Sequence, residues 1–97
     1  MVILILDHVD RAYTAQDGAV IYSALKQAFA SAGNVSLSFT GISDIPSSFV
    51  NSALVPFVQE RGIDWLKARL TVTGATKQVA SMIRRCLDNA EHSLEAA

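Results

Sequence analysis

The chain has 97 residues, an apolar fraction of 51% and a formal net charge of −1. That length suits one domain, residues 1–97, with a single core, and the composition excludes a disordered chain. The near-neutral charge argues against a dedicated nucleic-acid binder, and the lone Cys86 excludes an internal disulfide, as expected in a reducing compartment.

Val2 to Leu6 is an unbroken apolar run rich in Val and Ile, which predicts a strand buried on both faces. It has no basic flank and no small-residue cleavage site, so it is not read as a signal peptide. No run approaches the roughly 18 apolar residues of a membrane span. The expectation is a soluble, cytoplasmic protein. Asp7 to Gln16 is polar and aperiodic, hence a loop. Asp17 or a neighbour is expected to cap the next helix, with Gly18 easing the turn into it.

Between residues 19 and 32 the apolar positions Val20, Ile21, Ala24, Leu25, Ala28, Phe29 and Ala32 form one helical stripe. Gly33-Asn34 is expected to end it. Val35, Leu37 and Phe39 then alternate with Ser36, Ser38 and Thr40, which predicts a strand running toward Ile42 with one apolar face. Phe49, Val50, Ala53, Leu54, Phe57 and Val58 make a second helical stripe beginning near Ser47, and Pro56 predicts a kink or an early end within it. Gly62 closes that region, and Ile63 to Leu66 suits a short helical turn. Alternation from Leu66 to Thr73 predicts the third strand, most secure from Arg69 onward. Gly74-Ala75-Thr76 opens the last helix, with Thr76 as its cap and Val79, Ile83, Cys86, Leu87, Ala90 and Leu94 on its apolar face. Its final residues are expected to fray.

The order is β-α-β-α-β-α, an α/β chain with about three strands in a largely parallel sheet. Two sheet edges stay open, so a homodimer is one way to finish the fold. Charge is uneven along it. Arg61, Lys67, Arg69, Lys77, Arg84 and Arg85 against Asp64 give residues 61–85 a sum of +5. Such a block could face an acidic partner, but its spread over several elements favours solvated surface charge.

Ligands of parallel α/β sheets bind beyond the carboxyl ends of the strands. That rule groups the loops Asp7 to Asp17, Gly41 to Ser48 and Thr73 to Lys77. The middle loop, Gly41 to Asn51, is the most informative. It carries Asp44 and the adjacent Ser47 and Ser48 to a helix start, where free amides favour an oxygen or a phosphate. Both serines are read as N-caps, and either could also accept a phosphate. Asp7, Asp10 and Asp44 lack a dense metal-ligand motif, so no metal is expected. His8, His92 and Ser47 make no triad, and Ser47 has no glycine-flanked nucleophile elbow. Gly74 to Lys77 lacks the glycines of a phosphate loop. Cys86 and Trp65 read as packing residues. No catalytic constellation and no cofactor site emerges, so the chain is not read as an enzyme.

Several of these stretches resemble the STAS-like domains, a bacterial family related to the anti-sigma factor antagonists. Asp17-Gly18 and its helix resemble the family's first helix, and Val35 to Ile42 resembles its core strand and following glycine. Ile45-Pro46-Ser47-Ser48-Phe49-Val50-Asn51 resembles the antagonist motif Ile-Asp-Ser-Ser-Gly-Leu-Gly, with Pro46 in place of the aspartate and Phe49 in place of a glycine. Ser38 stands where relatives often carry aspartate, and the extra amino-terminal strand of full antagonists is not expected. The resemblance implies a non-enzymatic regulatory module. Its implied partner is an ATPase-fold serine kinase, its implied phosphorylation site is Ser47, and its implied partner-binding residues are Asp44, Ser47, Ser48 and Asn51. The competing expectations are a non-phosphorylated structural or assembly subunit acting as a dimer, and a small-ligand binder or enzyme using Asp7, Asp10 or Lys77. Nucleic acid and membrane are not expected as partners.

Overall fold

In the computed structural model three short strands, β1 (Val2–Leu4), β2 (Val35–Ser38) and β3 (Leu70–Thr73), lie parallel in the order β1-β2-β3. The structure describes the backbone of residues 1–96 and the side chains of residues 1–92. Leu94, and the fraying expected at the terminus, lie outside the described side chains. Helix α1 (Ala15–Ser31) joins β1 to β2. Three short helices, α2 (Ser47–Ala53), α3 (Val55–Arg61) and α4 (Ile63–Arg69), join β2 to β3, and α5 (Lys77–Ala96) follows. The α/β reading and the parallel sheet hold, with the middle helix broken beside Pro56 into α2 and α3 and the short turn at Ile63 to Leu66 extended into α4.

Both crossovers step the same way across the sheet, so right-handed connections put their helices on one face. Helix α5 packs on α2 and α3 and joins the same layer. The covered face carries Ile3, Val35, Leu37 and Phe39, all buried. The other face is open and carries the rows Val2, Ser36, Thr71 and Leu4, Ser38, Thr73. Val2 is 67% exposed and Leu4 42%, which corrects the expectation of a first strand buried on both faces. An apolar run has no period to report which side lacks a helix. The strand also stops at Leu4, where Ile5–Asp7 turns into a 3-10 helix that buries Ile5.

Helix α1 begins with a capping box. The Asp17 N–H donates to Thr14 Oγ1 at 3.0 Å, and the Asp17 carboxylate accepts from the Thr14 N–H at 3.1 Å. Thr14 is therefore the cap, and Asp17 is its reciprocal partner inside the first turn. Gly18 lies within the helix rather than in a turn before it. A Cβ there would sit 2.5 Å from the Phe49 carbonyl oxygen and 2.7 Å from the Ser52 Cβ, so Gly18 is what lets α1 approach α2. At the other end Ala32 leaves the helix extended, with φ −130°, and Gly33 makes no left-handed cap.

The middle segment breaks beside Pro56 as expected and departs from expectation over residues 66–69. Helix α2 ends at Ala53 and α3 restarts at Val55, so Pro56 falls in a first turn where its missing N–H costs nothing. Residues 66–69 are helical, not extended. Ile63 and Leu66 both bury on α4, three residues apart, and the strand starts only at Leu70. Gly62, with φ 93°, separates α3 from α4. Trp65 packs edge-on against Phe29 at 5.1 Å and stacks on Phe57 at 6.3 Å, as expected of a packing residue. The core runs from Ile21 and Leu25 through Leu37, Phe39, Phe49 and Val50 to Val58, Leu66 and Val79.

Candidate functional site

The loop after β2 is built from outward polar and inward apolar residues in turn. Ile42 closes a turn onto the Phe39 carbonyl at 2.9 Å, helped by Gly41 at φ 87°. Ile42, Ile45, Phe49 and Val50 are buried, whereas Ser43, Asp44, Ser47, Ser48 and Asn51 are exposed. Burying a side chain such as Phe49 or Val50 contributes about 1.5–3 kcal/mol, so the polar row is held out by the anchoring of its neighbours.

Two side chains from the third loop and α5 fasten this segment. Gln78 clasps Ile45: its Oε1 accepts from the Ile45 N–H at 3.0 Å, and its Nε2 donates to the Ile45 carbonyl at 3.1 Å. Thr76 Oγ1 donates to the Ser43 carbonyl at 2.7 Å and accepts from the Val79 N–H at 3.2 Å, capping α5 as its sequence position suggests. The first loop also reaches the site. Asp10, Arg11 and Tyr13 share a small cavity of about 130 Å³ with Gly41, Ser43 and Asp44. The three loops grouped by the strand-end rule thus converge. Gln78 was not singled out in the sequence. A glutamine two residues past a cap carries no pattern that names a partner 33 positions away.

The serines stand differently from expectation. Pro46 occupies the N-cap position of α2, with φ −84° and ψ 163°, and offers no side-chain cap. Ser47 and Ser48 are the first two helical residues, so neither is a cap. Both are exposed, and the Phe49 N–H turns to the Pro46 carbonyl at 3.2 Å instead. Asp44 accepts a long bond from Ser43 Oγ at 3.4 Å. Asn51 is exposed one turn beyond Ser47 on the same helix, so Ser47, Ser48 and Asn51 are accessible at the surface, as is Asp44.

Ser38 and Cys86 belong to the packed interior. Ser38, the one buried polar side chain of the strands, shares a 2.8 Å bond with Thr40. Cys86 is buried in the core face of α5, and burial pushes its thiol above the ordinary value, partly opposed by Arg85. A thiol held protonated there is a packing group. Among the described residues no three His, Cys, Asp or Glu side chains are placed to hold a metal ion, and no helix is long and apolar enough to cross a membrane.

Comparison with known proteins adds one finding. Neither the curated proteins nor the solved structures yield a match. A family model described as a STAS-like domain of unknown function (DUF4325) matches residues 17–80, from the first turn of α1 through residues 41–51, Thr76 and Gln78 to the first turn of α5. With well over half of its length matched and its sheet and helices in the expected order, the chain belongs to the family of STAS-like domains.

Proposed function

We propose that this protein is a non-enzymatic regulatory module that docks a protein partner through residues 44–51 and is switched by phosphorylation of Ser47. The partner read from the family resemblance is an ATPase-fold serine kinase. The observation that carries the proposal is the exposure of Ser47 at the start of α2, on a segment fastened at Ile45 by Gln78 and at Ser43 by Thr76. A kinase needs a reachable hydroxyl, and a switch needs that hydroxyl on a rigid surface whose charge matters. Phosphate at Ser47 would add about −2 charge beside Asp44, where like-charge repulsion alters what the surface accepts. It would also lie near the amino-terminal amides of α2, which favour an anion.

The test is incubation with an ATPase-fold kinase encoded beside this chain, followed by intact-protein mass spectrometry and a binding measurement. The wild type is expected to gain one phosphate and Ser47→Ala none, while Ser47→Asp weakens binding by at least about tenfold. Absence of both modification and binding, in the wild type and in Ser47→Ala, would sink the proposal. The open sheet face favours a second reading, an unphosphorylated assembly subunit acting as a dimer. Binding of the partner unchanged by Ser47→Asp supports that reading instead.

A further inference from the structure

The cationic block of residues 61–85 divides in the fold. Arg61 and Arg69 hold their guanidinium carbons 5.3 and 5.2 Å from the Trp65 ring centroid, so both are engaged by an aromatic face. Lys67 and Arg84, far apart in sequence, instead line one groove of about 580 Å³ between the end of α4, β3 and α5. The apolar part of its lining includes Val72 from β3, Ala75 from the loop after it, and Ala80, Ile83 and Leu87 from α5. Asp88, one turn beyond Arg84, also lines it, so the groove carries two cations and one anion.

This groove lies beside an open sheet edge, because among the described residues β3 pairs only with β2. The Phe39 N–H donates to the Thr73 carbonyl at 2.8 Å. In a parallel ladder alternate residues turn their backbone groups to the same neighbour, so Thr71 and Thr73 face β2. The Val72 N–H and C=O then face outward, at the groove. An edge of this kind takes a further strand through main-chain hydrogen bonds, with side-chain pockets selecting the sequence.

We infer that the β3 edge and its groove form a second docking site, for an extended segment of a partner protein. In that segment alternate apolar side chains enter the groove and carboxylates meet Lys67 and Arg84. The site shares no residue with 44–51 and does not rest on the phosphorylation of Ser47. Charge selects the occupant. A second copy paired edge to edge about a two-fold axis would bring together two grooves that each carry an excess of one cation, a poorer match than an acidic segment. The cavity beside the free β1 edge is lined by residues such as Val2, Ala24 and Gln27, with no Lys, Arg, Asp or Glu among its lining, and so carries no comparable signature.

The test is selection from a phage-displayed library of random peptides of about eight residues, long enough for one strand. Recovered peptides are then titrated against variants and mapped by amide hydrogen exchange. The expected peptides alternate apolar residues and carry Asp or Glu. Their affinity falls at least about tenfold in Lys67→Glu/Arg84→Glu, and they slow exchange at the Val72 amide. Ser47→Ala binds them as the wild type does. Val72→Pro, which removes the outward N–H while leaving the Thr71 and Thr73 bonds to β2, should also abolish binding. If Val72→Pro fails to fold, the charge reversal, at two exposed side chains, carries the test. Recovery of basic or unpatterned peptides, unchanged affinity in the charge-reversed protein, protection elsewhere, or no peptide above background would each overturn the inference.

Discussion

Gln78 is the side chain on which the geometry of the candidate site depends most. Its amide satisfies both the N–H and the C=O of Ile45, a residue only 2% exposed. Gln78→Ala leaves two backbone groups near the core without their partner and should cost about 1–3 kcal/mol in chemical denaturation. Amide exchange in 43–48 should rise with it, while exchange in β2 follows only the global loss. Asp17 gives a pH signature of a different kind. Backbone N–H bonds from Thr14 and then Tyr13 hold its carboxyl below the ordinary value, with burial opposing them and Arg11 adding a smaller pull the same way. A carboxyl whose folded pKa is depressed stabilises the fold above its unfolded value of about 4, and that stability is lost as pH falls through the folded value. Thermal melts should therefore show the wild type losing stability below about pH 4, and Asp17→Asn losing less over the same range. Constant acid sensitivity in the two proteins would contradict the capping box as its source.

At the scale of elements, the contact between α1 and α2 makes the sharpest prediction. Gly18→Ala favours the helix by roughly 1 kcal/mol in propensity, but its Cβ would collide with the Phe49 carbonyl and Ser52. Backbone cannot yield as a flexible side chain does, so a net destabilisation of about 2 kcal/mol is expected in denaturant titration. A stabilised variant would mean that α1 and α2 are not so closely packed. The elements themselves were legible where the hydrophobic period was long. The stripe through Ile21, Leu25 and Ala28 marked α1, and the alternation of Val35, Leu37 and Phe39 marked β2. Short elements were not. Over Leu66-Lys67-Ala68-Arg69 the alternation of a strand and the spacing of a helical turn coincide, and only the packing of Ile63 and Leu66 on one side decides for α4. The glycines misled for a similar reason: Gly18 signals a turn by its own freedom, whereas its cause here lies in Ser52 and Phe49, over thirty positions away. At the site, sequence located the loop, its exposed serines and Thr76 as the cap of α5. It could not supply Gln78, and it assigned the cap of α2 to the serines where Pro46 stands in that position.

For the molecule as a whole, strand order decides which surfaces are free. Two crossovers in one direction leave a parallel sheet covered on one side only, an uncommon arrangement for parallel strands. Its open face avoids a large apolar surface by presenting Ser36, Thr71 and Thr73, with Ser38 buried against Thr40 and the exposed apolar residues confined to the β1 edge. Helix α5 links the two regions assigned to partners, since it carries Gln78 at one end and the groove residues Ile83, Arg84 and Leu87 further along. The central claim is that residues 44–51 are the regulated docking edge. Hydrogen exchange of the protein bound to an ATPase-fold kinase partner, before and after phosphorylation, tests it most directly. Slowed exchange across 44–51 that reverts on modification of Ser47 is the predicted result. Exchange across 44–51 that matches the free protein, with protection confined to other surfaces, would contradict it.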